Sequence, residues 1–211
     1  GGGNSNITFT TPKTVYWNLL TGGSVTGTAY ATTPTGTPSL DNFPLPQDTL
    51  VFTDAGLNTS ATITFSTTTV QYYYPSIDAS GRTTAMTLAF AASTQYFCGN
   101  FILSSAVSTT ATTSPLVFNV IGTNNTLDVN VPSGTIANPY LVFNGGNNGT
   151  IRLLNNLSIG SGNLPTSHYR GTLNLNGFQL SCNYYQTIAP TTGTQTTAIN
   201  FGSNGTLLTR A

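Results

Sequence analysis

Three short stretches in the second half of the chain decide the fold: Asn125-Thr126-Leu127-Asp128-Val129, Gly149-Thr150-Ile151-Arg152-Leu153 and Gly171-Thr172-Leu173-Asn174-Leu175. Each runs from a small polar residue to Thr, then to two apolar residues flanking a polar one. Strand periodicity puts the apolar pair on one face and Asp128, Arg152 or Asn174 on the other. A shorter copy reads Gly205-Thr206-Leu207, so the threonines fall at 126, 150, 172 and 206, spaced by 24, 22 and 34 residues. A strand carrying Phe118, Phe143 or Phe201 precedes three of the units. Turns such as Gly145-Gly146-Asn147-Asn148-Gly149 lie between. Their Gly and Asn tolerate the positive φ that tight turns require.

Self-similarity at this period, with roughly one strand every 8–12 residues, predicts an all-β chain folded as a parallel β-helix or similar solenoid of stacked coils. An antiparallel β-sandwich or jelly roll fits the strand spacing too and remains the alternative. In a solenoid each coil adds one strand per face, and neighbouring coils share a Leu, Ile, Val and Phe interior. The long last spacing then holds an insertion at Ile188 to Thr197, and Ser161 to Arg170 is a second.

Toward the N-terminus, alternation predicts strands at Leu50-Val51-Phe52, Ala61 to Phe65, Val70 to Tyr74 and Met86 to Phe90, with a turn at Ser80-Gly81-Arg82. Ile7-Thr8-Phe9 and Val15-Tyr16-Trp17 open the chain. A Gly/Ser/Thr loop containing Pro34 and Pro38 follows. Residues 1–50 are the least repetitive and read as an N-terminal cap or attachment region, with Trp17 closing the first coil. Residues 51–211 read as the solenoid-like repeat domain.

Composition narrows the function. Charged residues make up 5% of the 211, with five acidic and five basic side chains and no Glu, against about 25% in ordinary domains. So few Lys and Arg exclude a phosphate-neutralising nucleic-acid surface. No apolar run is long enough to span a bilayer. A weakly charged, hydroxyl- and amide-rich surface suits a chain built into an assembly, and outward Asn and Thr rows would bond ladder-fashion along the coils. Cys98 and Cys182 form neither a CxxC motif nor a zinc set. They read as two buried thiols, with a disulfide still open.

The order of segments carries a resemblance. Val15-Tyr16-Trp17-Asn18, the Gly/Ser/Thr loop, the block Asp41-Asn42-Phe43-Pro44-Leu45-Pro46-Gln47-Asp48-Thr49-Leu50-Val51-Phe52 and coils such as Asp78 to Leu88 resemble Thr/Gly/Asn-rich β-helix-like phage structural proteins. These are tail-fibre, tail-spike and capsid decoration proteins and related metagenomic surface proteins. The resemblance covers residues 15 to 211 and is sharpest from Pro44 to Phe52. It implies a structural protein at the virion surface, packed against other virion proteins and itself as a homotrimer. It transfers no catalytic residue.

The side chains agree with a non-enzymatic reading. Glycosidic cleavage needs two carboxyl groups facing one bond. The five candidates, Asp41, Asp48, Asp54, Asp78 and Asp128, sit in turns or on an outward strand face. Asp128 and Arg152 occupy the same outward position one coil apart and read as a cross-strand pair. No catalytic, cofactor-binding or metal-binding set is expected, since one His cannot hold a metal alone. The candidate contacts to a partner or a host surface glycan are Tyr72 and Tyr74, on one strand face, and His168-Tyr169-Arg170 in a solvated loop. The alternative function is an extracellular or cell-surface adhesin that binds or cleaves glycan.

Overall fold

The computed structural model describes residues 11–65, 72–90, 93–110, 112–122, 125–146, 148–160, 162–188 and 196–209. It is a parallel β-solenoid: 22 short strands, β1 to β22 in chain order, stack as six complete turns with a partial turn at each end. This is the solenoid that the repeat predicts, and the alternative antiparallel sandwich or jelly roll is excluded. Among the described residues every strand pair except β1 (Thr14–Trp17) with β3 (Tyr30–Ala31) is parallel.

Three faces build each turn. The first stacks β1, β4 (Thr49–Val51), β7 (Ser76–Ala79), β10 (Phe101–Leu103), β13 (Thr126–Asn130), β16 (Thr150–Leu153), the second half of β18 (Thr166–Asn174) and β21 (Thr197–Asn200). The second face has β2 (Gly23–Ser24), β5 (Ala61–Thr64), β8 (Met86–Ala89) and β11 (Val107–Thr109). After a break it continues through β14 (Thr135–Ile136), β17 (Leu157–Ile159), β19 (Gln179–Cys182) and β22 (Thr206–Thr209). Across the break, the Ala137 N–H donates to Thr109 Oγ1 at 2.8 Å. The third face carries β6 (Tyr72–Tyr74), β9 (Gln95–Phe97), β12 (Leu116–Asn119), β15 (Leu141–Asn144), the first half of β18 and β20 (Tyr185–Thr187).

Register turns the sequence alternation into continuous interior rows. On the first face Val15, Leu50, Ile77, Phe101, Val129 and Leu153 lie directly over one another, and each is buried. On the third face Tyr74, Phe97, Phe118 and Phe143 form an aromatic row. Phe118 and Phe143 stack at 6.1 Å. Each such side chain contributes about 1.5–3 kcal/mol by leaving water. Outside, Thr126, Thr150 and Thr172 align as the repeat predicts. Asp128 and Arg152 are in register and paired at 2.8 Å through both oxygens. Amide and hydroxyl ladders run along the coils: Asn144 donates to Asn119 at 2.8 Å, and the Thr87 and Ser108 hydroxyls meet at 3.1 Å.

Several expectations need correction. Thr206 is not the fourth member of the first-face row. The partner of Thr172 is Ala198, 26 residues on, and Thr206 pairs with Gln179 on the second face. The apparent spacing of 34 therefore comes from comparing two faces. Likewise Phe201 lies beyond β21, and the residue in register with Phe143 is His168. Of the span drawn from Ser161 to Arg170, Ser161 lies outside the described residues, and residues 166–170 are no insertion but a third-face strand, bulged at Tyr169, that runs on into the first face. Gly171 makes that corner at φ +75°, where a Cβ would sit 2.8 Å from the Gly145 Cα, so only glycine fits. Within the span drawn from Ile188 to Thr197, residues 189–195 lie outside the described residues, as do Ile7-Thr8-Phe9.

The boundary drawn at residue 50 falls inside a continuous sheet, because β1 pairs with β4 and Val15 extends the interior row. The cap is more local. β3 folds back antiparallel on β1, and Trp17 packs between Phe52 (5.7 Å, stacked) and Tyr30 (5.8 Å, edge-on). Arg82, expected only in a turn, is 2% exposed. It ties that turn to the preceding coil by an ion pair to Asp54 at 2.7 Å and bonds to the Leu57 and Thr84 carbonyls.

Candidate functional surface

The run Tyr72-Tyr73-Tyr74 sets the chemistry of the third face. Alternation turns Tyr72 and Tyr74 toward the interior, where Tyr74 packs against Phe65 and Phe97 and Tyr72 lies half-buried against the core. Tyr73 points out and is 51% exposed. One turn on, Gln95-Tyr96-Phe97 repeats the pattern, and Tyr73 and Tyr96 stack at 4.7 Å with planes 18° apart. The same outward column continues as Val117, Val142 and Ser167. All three are buried although they point away from the core.

A bulge in β18 explains part of that cover. Phe143 pairs with His168, but Asn144 pairs with Arg170, so Tyr169 is the extra residue and is freed from the alternation. Its side chain is hydrogen-bonded to the Tyr140 phenol. Together with Tyr96 it walls a cavity of about 250 Å³ whose apolar lining includes Val117 and Val142, and to which Thr94 and Asn144 contribute. Burial first, then the neighbouring phenols, pushes the Tyr96 and Tyr140 hydroxyls above the ordinary tyrosine range, so both stay neutral donors.

Among the candidate contacts, then, Tyr169 lies on this cavity, Tyr72 and Arg170 are half-buried, and Tyr74 and His168 are interior. His168 is not in a solvated loop. It is 1% exposed and continues the aromatic row. Its Nδ1 meets the Tyr185 hydroxyl at 2.9 Å and its Nε2 the Arg170 carbonyl at 3.2 Å. A carbonyl only accepts, so Nε2 carries the proton and Nδ1 accepts from Tyr185. Burial holds the imidazole below its ordinary pKa, against the opposing pull of the Arg170 carbonyl. Tyr73 and Tyr96, which the candidate set omits, are the surface pair. Their signal was the same Φ-x-Φ alternation read one period apart.

The carboxylates are engaged in structure. Asp48 accepts from the Lys13 and Leu45 N–H groups at 3.0 and 2.8 Å. Asp54 is lowered first by the Thr83 hydroxyl, then by backbone N–H bonds and Arg82. Asp78 caps the Ser80 turn at 3.0 Å, Asp41 accepts from Ser39 at 3.4 Å, and Asp128 holds Arg152. Cys98 and Cys182 are both free and buried, with thiols pushed up by burial. Cys98 lines a second cavity of about 250 Å³ with Gly99 and Val120. Comparison with protein-family models, with curated proteins and with solved structures finds no match.

Proposed function

We propose that this solenoid is a non-enzymatic structural protein on the outside of a virus particle, as a capsid decoration (cement) protein or a segment of a tail fibre or spike. One observation carries the reading. Of the eleven exposed large hydrophobic side chains among the described residues, ten sit on or beside the end strands of the three faces: Leu19, Leu20, Leu40, Phe43, Leu45 and Tyr73 toward one end, and Tyr184, Ile188, Phe201 and Leu208 toward the other. The body between is neutral and faced with Thr, Ser and Asn. Eight stacked rungs at about 4.8 Å make a rod roughly 35 Å long, stiffened by its continuous interior rows. Apolar surface confined to the ends of such a rod fits an element held end-on by neighbours. Contacts with other virion proteins, and self-association as a homotrimer, would cover those ends. The engaged carboxylates support a mechanical role over a hydrolytic one.

Density-gradient fractionation of particles from material that encodes the chain tests this reading. The chain should band with the capsid and tail proteins and bind antibody on intact particles. Recovery only in a secreted or cell-envelope fraction would overturn it in favour of the adhesin.

A further inference from the structure

We infer that the outward third face is a binding site for a neutral glycan, seated on the Tyr73–Tyr96 stack and in the cavity between Tyr96 and Tyr169. Three features converge on that ligand class. First, Tyr73 stands 51% exposed on the outward side of β6, the first strand of the third face, and the interior packing does not account for it. Its ring lies on Tyr96, which makes a flat double-layered platform. The C–H face of a pyranose packs on such a surface through the same apolar contact and ring polarity that favour aromatic pairs.

Second, the platform steps down into a recess. Next in the column Val117 and Val142 replace the aromatic rings, and the bulge at Tyr169 raises the far wall. About 250 Å³ is below the roughly 300–1,000 Å³ of drug-sized sites, which suits a single sugar ring and not a peptide helix.

Third, none of the described residues lining the cavity is charged. The Thr94 hydroxyl, the Asn144 amide and the tyrosine phenols instead provide neutral donors and acceptors, the complement of sugar hydroxyls. An acidic polysaccharide or a phosphate would find no cation there. Tyr73, Tyr96 and the recess follow one another in a single outward column, so a ligand held at the Tyr73 ring lies beside the recess. The site stands whether the rod is carried on a particle or on a cell.

The test is a glycan array spanning neutral and acidic structures, probed with the purified chain and with Tyr73→Ala, Tyr96→Ala and Tyr169→Phe, each checked for native circular dichroism. Retention of neutral glycans by the native chain is expected. It should weaken about tenfold or more in Tyr73→Ala, which alters an exposed ring and leaves the core intact. Any hit is then titrated by calorimetry. No retention on the array, retention of acidic glycans only, or undiminished binding in folded Tyr73→Ala and Tyr96→Ala would overturn the inference. So would a change of oligomeric mass in Tyr73→Ala by light scattering, which would make the strip a subunit contact.

Discussion

Acidification should loosen this solenoid at one side chain. His168 is the only histidine, and it is held neutral in the interior row between Phe143 and Thr187. Its folded pKa is depressed by burial, while in the unfolded chain it titrates near 6.5. The unfolded state therefore binds the proton more readily. Stability is fully present above about pH 6.5 and is lost as pH falls toward the depressed folded value. The slope in that window reaches about 1.4 kcal/mol per pH unit for a single proton, a tenfold change in the unfolding equilibrium. The window is clean. The chain has no Glu and no second His, and burial pushes both thiols up, away from this window. Urea unfolding followed by circular dichroism between about pH 5 and about pH 8 measures the slope. His168→Gln should be less stable at neutral pH yet lose the slope. A flat profile in the native chain, or an equal slope in His168→Gln, would refute the assignment of His168 to the interior.

Other substitutions test the packing directly. Arg82→Met should cost about 3–5 kcal/mol in urea unfolding, because the Asp54 carboxylate and the Leu57 and Thr84 carbonyls lose their shared donor; a loss below about 1 kcal/mol would contradict the clamp. Gln95→Leu should stabilise by about 1–3 kcal/mol. Gln95 is 1% exposed, both its side-chain polar atoms lack a partner, and Leu116 is next in its row; destabilisation would show that the amide is satisfied. Arg152→Ala should cost less than about 1 kcal/mol, and less still at high salt, because its side chain is 42% exposed. A salt-independent loss of several kcal/mol would mean that the pair is a structural anchor.

The fold was legible where the chain repeats its local chemistry. Thr126, Thr150 and Thr172 announce their register because the same Thr-Φ-x-Φ unit recurs with a glycine or asparagine turn before it. The first half hides the same period: Leu50, Ile77 and Phe101 form the same row, but in Thr49-Leu50-Val51, Ser76-Ile77-Asp78 and Asn100-Phe101-Ile102 the residue before the inward one changes type each time and no Thr-Φ-x-Φ unit recurs. Only the inward residue is constrained there, and any large apolar side chain satisfies it. The face assignment of Thr206 failed for a related reason. Alternation identifies a strand but not its face, and only the count from one corner to the next does that.

The surface was half legible. The alternation of Tyr72 and Tyr74 was read, but the choice between in and out depends on the interior row begun by Phe97. The exposed partner, Tyr73, emerged only once that row was fixed. His168 misled because a lone polar residue beside Pro165 and Gly171 looks like loop chemistry, whereas neighbouring aromatic rungs can bury an imidazole that finds two partners. Arg82 misled in the same way, since a Ser-Gly-Arg turn gives no sign that its last side chain folds inward over the preceding coil.

We propose that this solenoid is a rigid external part of a virus particle. Cryo-electron microscopy of particles purified from material that encodes the chain, with peptide mass spectrometry of the same sample, tests it most directly. Symmetric copies are expected on the outer surface as short rods with rungs about 4.8 Å apart, their apolar end turns buried against neighbours. Particles that lack the chain, or rods whose end turns stand free in solvent, would contradict it.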